Sequence, residues 1–412
     1  MGRKKKTKIC DKVSHGEADR ISQLPEHLIC EILYHLPTKD AVRTSVLSTQ
    51  WRYLWLSVPG LDLEPFSSSN IPYSLVERFF DFHRESCIRK FRVNFVRNIG
   101  MDYCPTQWID VVIKSRIQHL DYTYDSIGLS CQMPSLFAYL ANEATLEKLI
   151  SGSLALEDLT IIKTSRESID KVQVRSHTLK RIHIDCSTQV VIDAPLLQCL
   201  KTKVYLTKNF EILNSGFSGK LDIDSVKEYR ESMICNILTD VTDTWRVKDL
   251  VISNLIWKGI LQYFKSGPVL QFRDLSRLNV KFSKSDLEML PILLESCPKL
   301  ESFVLELVKG KYIFREKKDS KVMFSTVPQC LVSLLKFVEW KRAYSLFEGE
   351  MELIRYFLKN STILEKFRLD AYSTEKAKCA FLQELLAMPR CSSICEIHYS
   401  FIPRKNIEYF VG

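Results

Sequence analysis

The feature that most restricts this chain is a six-residue pattern, apolar-x-x-apolar-x-apolar, that keeps returning along it. It occurs as Ile88-Phe91-Val93, Ile117-Leu120-Tyr122, Leu156-Leu159-Ile161, Leu179-Ile182-Ile184, Val247-Leu250-Ile252, Leu275-Leu278-Val280, Leu300-Phe303-Leu305 and Leu364-Phe367-Leu369. A single copy carries no information in a chain that is 46% hydrophobic, but recurrence does. Most neighbouring copies lie roughly 20 to 30 residues apart, a spacing at which each unit must bury its apolar face against the next. Within each copy, alternation sends the apolar side chains to one face of a short strand and the intervening residues to the other. The expected class is therefore α/β, with parallel strands stacked inside and helical return segments outside.

That period is the one leucine-rich repeats use, so the central region, residues 61–326, is expected to form an irregular leucine-rich-repeat solenoid. The stretch from Ser285 to Phe303 shows both halves of a repeat. Ser285 and Glu288 form a capping-box pattern, Leu287, Leu290 and Leu294 share a helical face, and Cys297-Pro298 ends the helix before the next strand. Pro291 inside that helix is expected to kink it. Around residues 195–245 the pattern degrades, with Leu197-Leu200 followed by Thr202 and a weak Ser218-Leu221-Ile223. An ordinary α/β domain is the alternative, and it lacks a glycine-rich strand-to-helix turn.

A different unit precedes the repeats. From Asp19 to about Leu61, Pro25 suits the start of a helix on which Leu28, Ile29, Ile32, Leu33 and Leu36 recur at helical spacing until Pro37. Thr38 is placed to cap a second helix carrying Ala41, Val42, Ser45 and Val46, and Ser48 to cap a third presenting Trp51, Leu54 and Trp55. Three helices in so few residues cannot bury all these groups against one another, so some are expected to face a partner.

This segment resembles the F-box, through Leu24-Pro25, Glu31-Ile32-Leu33, Leu36-Pro37, Ala41-Val42-Arg43-Thr44-Ser45, Leu47-Ser48, Trp51-Arg52 and Leu54-Trp55. The tail from Val327 to about Tyr399 is similar to the FBD domain, through Val327-Pro328-Gln329-Cys330-Leu331, Val338-Glu339-Trp340, the helix Glu350 to Leu358 with Asn360, and Pro389-Arg390-Cys391-Ser392-Ser393-Ile394-Cys395. Together with the repeats, these identify the chain as resembling the plant F-box/FBD/LRR-repeat family. The division expected is a basic tail over 1–18, an F-box over 19–60, repeats over 61–326, an FBD region over 327–400 that caps the array, and a C-terminal tail over 401–412.

The resemblance implies a substrate-recognition subunit of an SCF-type ubiquitin ligase. The F-box binds a Skp-type adaptor and, through it, cullin and RING subunits, while the repeats hold a protein target. The implied adaptor-binding residues are Leu24, Pro25, Leu28, Ile32, Leu33, Leu36, Val46, Trp51 and Leu54. The alternative is a repeat scaffold that binds its partner without delivering it, its F-box being vestigial. For the target, the outward positions of the strands offer seven Lys or Arg against six Asp or Glu, so net charge does not select an acidic partner. Arg277, Asn279 and Lys281 form a local basic step, which with Lys366 and Arg368 is the expected target contact.

Other chemistry finds little support. The chain carries +9, but residues 1–12 hold six Lys or Arg against Asp11, so the body is nearly balanced and nucleic acid is not an expected partner. The tail has the form of a nuclear import signal, with a plain solvated tail as the alternative, and the expected location is nucleus or cytoplasm. Met1-Gly2 suggests myristoylation, but Lys6 stands where that pattern needs Ser or Thr. Thirteen cysteines without a C-x-x-C pair, and no apolar signal segment, point to a reduced intracellular protein in which Asn360-Ser361-Thr362 stays unglycosylated. No stretch is apolar enough over eighteen residues to span a bilayer.

His27, Glu31 and His35 share a helical face without a fourth ligand, and Cys391-x-x-x-Cys395 with His398 is half a zinc site, so no metal is expected. Gly216-Phe217-Ser218-Gly219-Lys220 is too short for a phosphate loop. Neither an enzymatic activity nor a cofactor is expected.

Overall fold

The computed structural model describes residues 21, 23–63, 73–83, 87–96, 111–112, 114–125, 143–163, 171–186, 188–204, 210–213, 217–225, 246–266, 271–308, 326–343, 348–372 and 375–402. The basic tail and the C-terminal tail beyond 402 lie outside them. Among the described residues, one parallel sheet of thirteen strands runs the length of the protein. In chain order the strands of the protein begin with β1 (Gly60–Leu63), β2 (Lys90–Val96), β3 (His119–Asp125) and β4 (Asp158–Lys163). Next come β5 (Lys171–Arg175), β6 (Arg181–Cys186), β7 (Gln189–Asp193), β8 (Cys199–Val204), β9 (Phe210–Ile212) and β10 (Lys220–Ser225). The rest is β11 (Asp249–Ile252), β12 (Arg277–Phe282), β13 (Ser302–Leu307), β14 (Phe337–Ala343), β15 (Lys366–Tyr372) and β16 (Glu396–Ile402). Apart from β5, β7 and β9, these pair in chain order.

In all eight copies the second and third apolar residues lie on strands of this sheet, the first standing two residues ahead of the strand, and the two weak copies fall likewise on β8 and β10. Three further strands have the same spacing: Val58-Leu61-Leu63 on β1, Leu335-Val338-Trp340 on β14 and Ile394-Ile397-Tyr399 on β16. The second apolar residue of each copy stands in register with that of its neighbour. Leu61 pairs Phe91, Phe91 pairs Leu120, and the row continues through Leu159, Ile182, Leu200, Leu221, Leu250, Leu278, Phe303, Val338 and Phe367 to Ile397. From Leu61 to Phe367 this row is buried. Burying one such side chain is worth about 1.5–3 kcal/mol, and each has another of its kind above and below.

Helices form the return segments over most of the array: α3 (Tyr73–Phe82), α4 (Glu143–Gly152), α5 (Asn254–Ser266), α6 (Leu290–Glu295), α7 (Gln329–Ser333), α8 (Glu348–Asn360) and α9 (Glu375–Ala387). Between residues 171 and 213 the expectation of outer helices is corrected. There β5, β7 and β9 form a second parallel sheet of three strands. Val172, Val174, Val190 and Ile192 are buried in it. Period-two alternation of β-branched residues in these short returns favours a strand over a helix.

Local expectations need three further corrections. After helices (Glu26–Tyr34) and (Thr38–Arg43) the first segment continues as 3-10 turns at Thr44–Val46 and Leu54–Ser57, so the third helix is absent from the described residues. The capping box is Ser283 with Asp286 rather than Ser285 with Glu288. Pro291 falls in the first turn of α6, where a missing N–H costs nothing, so the segment breaks ahead of it instead of kinking around it.

Gly219, just before β10, shows how tightly the ladder is drawn. A Cβ there would lie 2.0 Å from the backbone oxygen of Gln198, which accepts the Lys220 N–H at 2.8 Å. Backbone on both sides leaves nothing cheap to move. Gly219→Ala should therefore lower stability by about 1–3 kcal/mol, as overpacking does, measured as a shifted denaturant midpoint. An unchanged midpoint would show that the strands have slack here.

Candidate functional site

The N-terminal segment is built around an inward row and an outward row on the same short helix. In α1 (Glu26–Tyr34), Ile29 and Leu33 are buried, while Leu28 and Ile32, one residue earlier in each turn, are exposed. After α2 (Thr38–Arg43), Val46 is 87% exposed and Leu47 lies exposed beside it. Leu28, Ile32, Val46 and Leu47 are thus large apolar side chains that the fold leaves in water. Their concentration in one short segment makes them the candidate interaction surface.

The expected adaptor residues divide accordingly. Pro25, Leu28, Ile32 and Val46 are exposed, and Leu24 and Leu36 are half-buried. Leu33, Trp51 and Leu54 are buried in the core. These three belong to the core that lies beneath the outward residues. Leu47 carries part of the F-box motif in the sequence but was not among the expected adaptor residues. Gln50 was also missed: its side-chain N–H donates to the Leu24 carbonyl at 3.1 Å and pins the chain entering α1.

The segment is fused to the sheet rather than tethered to it. Strand β1 pairs with β2, and the Asp62 N–H donates to the Thr38 hydroxyl at 2.8 Å, so α2 covers the backbone of the sheet's first strand. Thr38 was expected to cap its helix and instead holds this junction. The buried Asp62 carboxylate takes Lys90 and, at 3.5 Å, Arg92, which reaches on to Asp121 at 2.8 Å. Arg78 of α3 stacks over the Tyr53 ring with its guanidinium carbon 5.3 Å from the centroid.

The second surface is the outward face of the sheet, where ion pairs bridge strand to strand. His119 and Arg181 both meet Asp158, the latter at 2.7 Å. Lys203 meets Asp185, and Asp249 lies between Lys220 and Arg277. Of the expected target contacts, Arg277 is 4.0 Å from Asp249, Lys281 is 3.7 Å from Glu306, and Arg368 is 3.3 Å from Glu339. Lys341 is 3.2 Å from Glu339 and Arg368 is 3.8 Å from Asp370. Asn279 and Lys366 are half-buried on β12 and β15, with β13 and β14 between them. The basic step is thus neutralised by its neighbours. Toward the middle of the face, burial, reinforced by Lys201, pushes the His183 pKa below its ordinary value.

Among the described residues no group of three or more His, Cys, Asp or Glu side chains could hold a metal ion, and no helix is long and apolar enough to cross a membrane.

Residues 21–62 match the family model of the F-box domain, and residues 324–369 match that of FBD. An F-box/FBD/LRR-repeat protein of Arabidopsis thaliana is 53% identical over 96% of this chain and 99% of its own length. The chain belongs to the F-box/FBD/LRR-repeat family. A second Arabidopsis thaliana protein of that description is 42% identical over 95% of this chain and 98% of its own, and an FBD-associated F-box protein from the same plant is 33% identical over 92% and 94%. In this F-box protein the F-box match ends on β1, inside the sheet. The FBD match takes in α7, β14, α8 and the start of β15, and Phe357 of α8 stacks on Phe303 of β13 at 6.0 Å. Neither domain is separated from the repeats by a gap in the sheet.

The inward and outward rows of the F-box make opposite demands on stability. Leu33→Ala should cost about 2–5 kcal/mol through the cavity it leaves, whereas Val46→Ala, losing contact with little but water, should stay within about 0.5 kcal/mol. Chemical denaturation of both variants checks this, and equal costs would mean that the two rows are misassigned.

Proposed function

We propose that this F-box protein is the substrate-recognition subunit of an SCF ubiquitin ligase. The observation that carries the reading is the exposed set Leu28, Ile32, Val46 and Leu47, held outward by a buried core on a segment that matches the F-box model. A Skp-type adaptor offering an apolar groove would cover these side chains and link the chain to cullin and RING subunits. The rest of the chain would then act as a leucine-rich-repeat solenoid whose last core face is closed by the FBD region, 327–400, and whose outward strand face holds a protein target.

The chain itself would make and break no bond. Its contribution is proximity: fixing target lysines near an activated ubiquitin turns a rare encounter into a local one. The fused junction at Thr38 and Asp62 supports this, because a rigid link preserves the distance between adaptor and target. Action in the nucleus or cytoplasm follows from the same proposal.

Ile32→Asp with Val46→Asp places two charges where the adaptor would bury apolar groups. Adaptor capture by the purified full-length chain should fall at least about tenfold, since each lost apolar contact is worth about 1.5–3 kcal/mol, with thermal melting unchanged. Full capture by a folded double variant would remove the F-box from adaptor binding and leave a repeat scaffold.

A further inference from the structure

The charges on the sheet's outward face balance in number but not in depth. Arg277 has a side chain 70% exposed over Asp249 at 24%, Lys281 stands at 42% over Glu306 at 14%, and Arg368 at 49% over Glu339 at 10%. The same order holds in each strand-to-strand pair described above, beginning with Lys90 over Asp62, and within β14 for Lys341 over Glu339. The cause is geometric. Asp and Glu are short enough to lie against the strands, while Lys and Arg lay their stems over them and carry the charged ends outward. A molecule arriving at this face meets cations first, with the carboxylates beneath them.

From this layering we infer that the face of β11–β15 binds an acidic, extended segment of a polypeptide, taken up carboxylate by carboxylate. This rests on the reading of the repeats as the surface that holds the target, and it supplies the target's chemistry. Exposed ion pairs contribute only about 0–1 kcal/mol each, so an incoming carboxylate can share the cation without a large loss. The submerged partner meanwhile keeps the cation aimed outward, which suits the fork of an arginine to a carboxylate.

Spacing fits as well. Arg277 and Lys281 are four residues apart on one strand, roughly 13 Å, and same-face side chains of an extended peptide repeat every ~7 Å. A nucleic acid fits less well, because duplex DNA carries a charge every ~1.7 Å and would press many phosphates against carboxylates that already neutralise the face.

The test is fluorescence anisotropy on the full-length chain with a labelled peptide of alternating Glu and Ser, its Gln-for-Glu counterpart and a single-stranded oligothymidylate. The Glu peptide should bind at least about tenfold tighter than the Gln peptide, and Arg277→Glu with Lys281→Glu should remove that difference. Should the reversed variant not fold, Arg277→Gln with Lys281→Gln replaces it. Glu306→Gln, which strips the submerged partner from Lys281, should tighten binding by about twofold or more, a gain that a purely structural role for Glu306 would not give. Equal binding of the Glu and Gln peptides, or preferred binding of the oligonucleotide, overturns the inference. Adaptor capture is measured on the same samples: its loss with acidic-peptide binding intact would count against the ligase reading alone, and the reverse against this surface alone.

Discussion

Everything in this molecule hangs on one register. The buried apolar residue at the second position of each strand stands beside its equivalent on the next, from Leu61 to Phe367, and the loop backbones lock that alignment. The Gln118 N–H donates to the Arg89 carbonyl, Glu157 to Gln118, Lys180 to Glu157 and Gln198 to Lys180, each at 2.7–2.9 Å. A slip of one residue on any strand would turn its apolar pair to water and its charges into the core. Because the repeats are joined this way, neither end can be moved independently of the middle.

That continuity gives the two surfaces a common frame. Through β1 the F-box becomes the first layer of the sheet, with α2 covering what would otherwise be an open strand. The FBD strands β14 and β15 carry on the same register at the other end. Ion pairs on the outward face are a by-product of that register. Asp249 reaches Arg277, and Glu306 reaches Lys281, because each pair sits at matched heights on adjacent strands.

The repeat architecture could be read from the chain because its cause is local: the hexad carries the strand and the direction of its side chains in six residues. Val58-Leu61-Leu63 and Leu335-Val338-Trp340 obey the same rule, yet they were absorbed into the F-box and FBD motifs and so not counted as strands. The β5-β7-β9 sheet was hidden for a different reason: its strands have three to five residues and their partners lie in other repeats. The helical stripe on α1 was legible, but its sidedness was not. Ile29 and Leu33 have the same spacing as Leu28 and Ile32, and only packing against the 3-10 turn Leu54–Ser57 decides which pair turns inward. The depth ordering of the charges is likewise a property of packed side chains, and counting residues returns only the balance.

On the proposed function, one end of a continuous sheet engages an adaptor while its outward face stays open for a target. Hydrogen–deuterium exchange of the full-length chain with and without a Skp-type adaptor tests it most directly. New protection is expected only in the F-box, over residues 24–47, with exchange in β12 and β15 unchanged. Protection across β12–β15 with none in the F-box would contradict it.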